Sequence, residues 1–264
     1  MSHIIKIQNL VKKFGKVTAV DDISFSVAKG EIVAFLGPNG AGKTTTIKIL
    51  TTLLRQTSGY VELNGFDVSK DPLSVRKSFG IVFQDQSLDN ELSAYENMKF
   101  HALLYSVPRE IYEPRIEELL KLVELWEKKD LFVKTFSGGM KRRLEIARGL
   151  LHHPKVFFLD EPTLGLDPQT RNKIWQYIQN LNKTEQITVF FTTHYMEEAD
   201  RYAHRIGIID HGKIIAEGTS AQLKQKTGKD TLEEAFLSLT GSTIREEAGG
   251  AIDRMRAARK VWRG

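Results

Sequence analysis

Residues Gly37-Pro38-Asn39-Gly40-Ala41-Gly42-Lys43-Thr44 fit the pattern G-x-x-x-x-G-K-[ST], and Thr45 follows directly. These residue types suit the cradling of phosphate. Glycines let the backbone wrap closely, so several N–H groups can point inward at phosphate oxygens. A helix opening straight after the loop presents the positive end of its dipole to the same anion. Lys43 adds a mobile cation for the β- and γ-phosphates, and the Thr44 hydroxyl can ligate Mg²⁺. Further along, Val156-Phe157-Phe158-Leu159-Asp160-Glu161 reads as a buried strand ending in two acids. There Asp160 can face the Mg²⁺ site through water, and Glu161 can polarise an attacking water as general base. A third stretch, Phe136-Ser137-Gly138-Gly139-Met140, sets Ser137 at a helix N-cap with two accessible glycine N–H groups behind it. That is a second anion-binding helix terminus.

Guanine is disfavoured as the base. Asn182-Lys183-Thr184-Glu185 ends in the wrong carboxylate for the Asn-Lys-x-Asp element of GTPases, and it precedes a strand instead of following one. The absence of cysteine excludes disulfides, thiolate metal sites and cysteine nucleophiles.

These groups need strands and helices to hold them. Glu31 to Leu36 is a nearly continuous apolar run, as expected of a strand buried on both faces of a parallel sheet. Strand signals recur at Ile4 to Ile7, Ile23 to Val27, Val156 to Leu159 and Thr188 to Thr192. Ile47, Leu50 and Leu54 mark a helix over Thr44–Leu54. A capping box at Ser93 opens another through about Tyr105. Ile116, Leu119, Leu120 and Val123 mark a third, and Met140, Leu144, Ala147 and Leu151 a fourth. Asp167 can cap a helix with Pro168 in its first turn, and a hairpin is expected around His211-Gly212. The helical block between about Asp85 and His153 is flanked by strand-like sequence on both sides and reads as an insertion into an α/β core. The 264 residues suit one large domain with an insertion, and 41% hydrophobic with 27% charged residues is ordinary for a globular chain. The longest apolar runs fall far short of the ~20 residues that span a bilayer. A cytoplasmic protein is expected.

The order of these motifs resembles the ATP-binding cassette (ABC) ATPase family over residues 4 to 240. The loop at Gly37 to Thr45 matches the family's Walker A, and Asp160 with Glu161 matches Walker B and its catalytic base. Gln84, after Gly80-Ile81-Val82-Phe83, matches the Q-loop, which in the family senses Mg²⁺ and meets the membrane domain. Phe136 to Met140 resembles the Leu-Ser-Gly-Gly-Gln signature, with Phe136 for Leu and Met140 for Gln. Leu164-Gly165-Leu166-Asp167 resembles the D-loop, His194 the switch histidine, and Phe14 the aromatic that stacks on adenine.

The resemblance implies a RecA-like α/β P-loop core with an N-terminal antiparallel β-subdomain and an inserted α-helical subdomain. It implies catalytic roles for Glu161, His194 and Gln84, with ATP and Mg²⁺ bound, and with Thr44, Gln84 and Asp160 on the metal. It also implies a second ATPase subunit, a homodimer, in which Ser137, Gly138 and Gly139 close over ATP held at Lys43 of the partner. The permease would be a separate chain, and the protein would sit peripherally on the cytoplasmic face of the membrane. The stretches 52–61 and 232–241 resemble drug-resistance exporter ATPases of the daunorubicin type, so export is expected. ATPases of DNA repair, translation or iron–sulfur assembly are the alternatives.

The chain carries 38 Lys and Arg against 33 Asp and Glu. Lys141, Arg142, Arg143 and Arg148 read as a solvated helix face, and no base-reading module accompanies them, so no nucleic-acid partner is expected. From Gly241 onward six basic residues stand against three acids. Residues 241–264 therefore read as a basic, amphipathic tail, distinct from the ATPase domain at 1–240 and able to lie on a membrane surface or a partner.

Overall fold

The computed structural model describes residues 3–241. The tail expectation lies almost wholly outside them. Strands β1 (His3–Phe14) and β2 (Val17–Ala28) form an antiparallel pair, turning at Gly15-Lys16 with Phe14 opposite Val17. They run longer than their apolar stretches. Register shifts between residues 7 and 13 of β1 let polar residues continue the ladder there, where pairing substitutes for side-chain burial. β3 (Ile32–Leu36) is buried along its whole length and feeds the phosphate loop. Helix α1 (Lys43–Leu50) then ends one turn earlier than its leucine spacing predicts. Thr52 takes a left-handed φ of 61°, and the N–H groups of Leu53 and Leu54 both donate to the Lys48 carbonyl.

Strands β4 (Ser58–Leu63) and β5 (Phe66–Asp67) complete the small antiparallel sheet, in the order β2-β1-β4-β5. Helix α2 (Pro72–Ser78), capped by Asp71, leads into β6 (Phe79–Val82). Three helices follow: α3 (Ala94–Leu104), α4 (Arg109–Leu122) and α5 (Gly138–Leu150). The expected capping box at Ser93 forms in full, with Glu96 accepting a hydrogen bond from the Ser93 N–H. α4 starts at Arg109, well before the apolar series that begins at Ile116, because its first turns are mostly solvated and leave little periodic signal.

The remaining elements are β7 (Val156–Asp160), α6 (Pro168–Glu185), β8 (Thr188–Thr192), α7 (Met196–Tyr202), β9 (Arg205–Asp210), β10 (Lys213–Gly218), α8 (Ser220–Thr227) and α9 (Leu232–Thr240). The main sheet has the order β10-β9-β3-β8-β7-β6, parallel except for the β10 edge. The apolar strands divide their side chains between two cores. Ile32, Ala34, Leu36, Phe157, Leu159, Val189 and Phe191 meet the helices. Val33, Phe35, Val156, Phe158 and Phe190 meet α1 and the small sheet. In the second core, ring centroids of Phe35 and Phe190 lie 5.4 Å apart and those of Phe158 and Phe190 5.8 Å apart. Burial on both faces explains the unbroken apolar runs.

The helices α3–α5 leave after β6 and return to β7, its direct neighbour, with Phe79 beside Val156 and Val82 beside Leu159. α5 is not confined to the insertion: it lies on β6, where Gly149 meets Gly80. A Cβ on Gly80 would stand 2.0 Å from the Gly149 carbonyl oxygen. Gly80→Ala must therefore push the helix off the strand. We expect a loss of about 1–3 kcal/mol in thermal denaturation, the usual cost of overpacking; an unchanged melting temperature would contradict this contact.

Candidate active site

The parallel sheet places the predicted groups at the carboxyl ends of β3, β8, β7 and β6. Two loop glycines are dictated by space. A Cβ on Gly37 would lie 2.3 Å from the Ile209 carbonyl oxygen, and Gly42 combines φ 112° with a Cβ position 2.6 Å from the Ala19 carbonyl oxygen. Because Gly42 caps α1 without a side chain, the first-turn N–H groups have no side-chain acceptor. Lys43 is buried, its Nζ donating to the carbonyls of Gly37 at 2.6 Å and Pro38 at 3.2 Å. Burial pulls its pKa below the usual lysine value, against the opposing pull of the Glu161 and Asp160 carboxylates. Thr44 is exposed and Thr45 half-buried, whereas the next hydroxyl, Thr46, is turned back onto the Gly42 carbonyl.

Asp160 ends β7 and is buried, accepting a 2.6 Å hydrogen bond from the Thr192 hydroxyl on β8. The next residue leaves the strand in a left-handed turn. Glu161 has φ 52°, which costs a non-glycine residue about 1–3 kcal/mol. Its N–H donates to the carbonyl and hydroxyl oxygens of Thr192. Its Oε1 lies 2.6 Å from His194 Nε2, and its Oε2 is buried without a hydrogen-bond partner. His194 and Glu161, both singled out in the sequence, are thus in direct contact. The orphaned carboxylate oxygen, the lysine and the uncapped helix turn suit a phosphate–Mg²⁺ substrate with water beside it.

Gln84 lies exposed two residues beyond β6. Phe14 ends β1, 40% exposed and with Lys12 Nζ 4.8 Å from its ring centroid, which leaves surface for a base. Asp167 caps α6, accepting from the Thr170 N–H at 3.0 Å and hydroxyl at 2.7 Å. Ser137 caps α5 by accepting from the Met140 N–H, and Phe136 is buried, as a packing role at that position requires. Ser137 and Gly138 are exposed, and Gly139 lies against Thr170 and Leu166 next to Asp167. The motif thus packs on the start of α6 and leaves Ser137 and Gly138 open to solvent.

One expectation needs correction. Arg142 is not on a solvated face: it is buried, with Nε donating to the Pro162 carbonyl at 2.7 Å and Nη2 to the Glu161 carbonyl at 2.8 Å. Arg143 and Arg148 are also partly covered, donating to the carbonyls of Val123 and Ser87. Periodicity does not separate a long basic side chain that enters the core from one that leaves it. Glu198 is a further member of the site that sequence reasoning misses. Buried on α7, it accepts from the hydroxyls of Thr163 at 2.6 Å and Thr193 at 2.8 Å, bracing the segments that follow Glu161 and precede His194. The available signal is two threonines flanking the acid and the histidine. His152 and His204 serve structure: His152 donates to the Phe79 carbonyl and His204 accepts from the Ile32 N–H.

Residues 20–164 match the ABC transporter family model. The chain is 42% identical over 243 residues to the linearmycin resistance ATP-binding protein LnrL of Bacillus subtilis, covering 92% of this chain and 76% of that one. It is 44% identical over 241 residues to the doxorubicin resistance ATP-binding protein DrrA of Mycobacterium tuberculosis, covering 88% and 72%. Among solved structures it is similar to a dimeric ATP-binding cassette in a post-hydrolysis state bound to ADP and phosphate. That match has a TM-score of 0.73 and 30% identity, over 81% of this chain and 98% of that one. The chain belongs to the ABC transporter ATP-binding family and is the ATP-hydrolysing subunit of a transporter. The repair, translation and iron–sulfur alternatives fall away.

Lys43→Ala should raise the dissociation constant for ATP at least about tenfold, equivalent to about 1.4 kcal/mol, in isothermal titration. Affinity equal to the unaltered protein would show that the loop does not hold the phosphates.

Proposed function

We propose that this subunit binds MgATP at the carboxyl edge of its main sheet and powers export through a separately encoded permease. The observation that carries the reading is the Glu161–His194 contact at 2.6 Å, set beside a buried lysine at the ends of neighbouring strands. The phosphates lie on Gly37, Pro38, Asn39, Gly40, Ala41, Gly42, Lys43, Thr44 and Thr45, with adenine on Phe14. Thr44 and Gln84 would hold Mg²⁺, with Asp160 acting on it through water. The ion would neutralise phosphate charge.

Glu161 takes the proton of the attacking water, and its unpartnered Oε2 is the free acceptor such a base needs. Nε2 of His194 holds the other carboxylate oxygen, fixing the direction from which the proton is taken. The short Thr192–Asp160 bond keeps Asp160 from swinging away. Water loses a proton to Glu161, its oxygen bonds to the γ-phosphorus, and the bond to the β-phosphate oxygen breaks, giving ADP and phosphate.

Ser137, Gly138 and Gly139 act on ATP held by a second copy, a reading supported by the exposure of Ser137 and Gly138; Asp167 lies beside them at that interface. Likeness to a dimeric cassette supports a homodimer. The permease docks around the Gln84 loop. Leu73, Phe100, Leu103, Leu104 and Ile111 expose large apolar surface on α2, α3 and α4, and Asn97 of α3 is hydrogen-bonded to Asp89 in the segment after Gln84. No helix among the described residues is long and apolar enough to cross a membrane. In this reading the permease contact holds the subunit peripherally on the cytoplasmic face. The names of the linearmycin and doxorubicin resistance relatives support a drug-like cargo moving outward.

Glu161→Gln should retain ATP binding, lower turnover at least about a hundredfold, and accumulate an ATP-bound dimer by size-exclusion chromatography. Turnover near that of the unaltered chain would refute Glu161 as the base.

A further inference from the structure

Arg142 sits little more than one turn into α5, the helix whose first residues are Gly138 and Gly139. It is 7% exposed. Its guanidinium fork is directed almost wholly at the backbone of the catalytic segments. Nε donates to the Pro162 carbonyl at 2.7 Å, and Nη2 donates to the carbonyls of Glu161 at 2.8 Å and Asp160 at 3.2 Å. Nη1 donates to the Phe83 carbonyl, just before Gln84, and to Glu145 Oε2 at 3.1 Å. One turn on, Glu145 Oε1 accepts from the Ser87 N–H at 2.7 Å, and Arg148 donates to the Ser87 carbonyl at 2.8 Å. The same helix face therefore grips the Gln84 loop at both ends and the Glu161 turn from behind. Three successive carbonyls held by one rigid, planar donor group define the path of a backbone that Glu161 takes through left-handed φ.

We propose that Arg142 is a positioning residue for ATP hydrolysis, fixing the backbone that carries Glu161 and tying that base to the helix that begins with the Ser137-Gly138-Gly139 motif. The inference rests on the reading of Glu161 as the base. It adds a regulatory consequence. When the motif of one subunit engages nucleotide on the other, the displacement of α5 is carried through Arg142 to the first subunit's own base and Gln84 loop. Each site then reports its occupancy to the other subunit's base through Arg142, with Glu145 and Arg148 sharing the link to the Gln84 loop.

The test is a double-mutant cycle on the full chain, with Arg142→Lys alone and combined with Glu161→Gln. Lysine keeps the buried charge beside Glu145 but replaces the fork by a single point of donation. Arg142→Lys should lower kcat by about ten- to a hundredfold, the scale of a misplaced catalytic group, with ATP affinity within about threefold. In the Glu161→Gln background, the same change should alter residual single-turnover rate by less than about threefold, because the group it positions is gone. A kcat within about threefold of the unaltered chain, or an equal fold loss in both backgrounds, overturns the proposal. Equal losses of affinity and of kcat/KM overturn it as well. Arg142→Met is the second variant, and failure of both to give folded protein by circular dichroism would make Arg142 a folding residue and overturn the proposal too. Should Glu161→Gln alone turn over normally, it is the assignment of the base that fails, and that comparison does not involve Arg142.

Discussion

A buried ammonium faces two buried carboxylates, and most of the architecture exists to keep them there. Lys43, Asp160 and Glu161 are all largely withdrawn from water. Charges so placed are tolerated only when their partners are fixed in advance. Lys43 is met by two loop carbonyls and Asp160 by the Thr192 hydroxyl. One oxygen of Glu161 is met by His194 while the other is left open. Because β8 lies between β3 and β7, its end supplies both Thr192 and the approach to His194. The parallel sheet converts four separate stretches of sequence into one edge of reactive groups.

The phosphate loop, the paired acids and the helix caps are legible in the sequence because their chemistry is local. A glycine that a Cβ would drive into Ile209, or a serine whose hydroxyl meets an N–H three residues on, writes itself into a short pattern. The double-faced burial of β3 is legible for the same reason. What cannot be read depends on contacts distant in the chain. Arg142 and Glu198 have the side chains of surface residues, and only the folded chain shows that one collects carbonyls from residues 83 and 160–162 while the other collects two hydroxyls. The end of α1 is hidden as well, since Leu54 continues the apolar spacing after the backbone has turned at Thr52. The extra length of β1 and β2 comes from pairing, which polar residues join without an apolar signal.

The surroundings of Ser137, Gly138 and Gly139 fit the role proposed for them on a neighbouring subunit. Ser137 and Gly138 are exposed, and Gly139 packs beside the Asp167 turn. The motif is therefore presented outward with that turn as its floor. On the proposed reading each subunit completes its neighbour's site, and α5 carries news of that engagement back to the sheet edge.

The absence of native cysteine makes this reciprocal arrangement directly testable. Asn39 and Ser137 lie in the phosphate loop and the motif respectively, and both are exposed. Cysteines placed at both positions in one chain should be joined by a short thiol-reactive linker between two chains, giving a covalent dimer that increases with MgATP. A crosslink confined within single chains, or a dimer yield indifferent to nucleotide, would contradict the reciprocal closure of the two subunits.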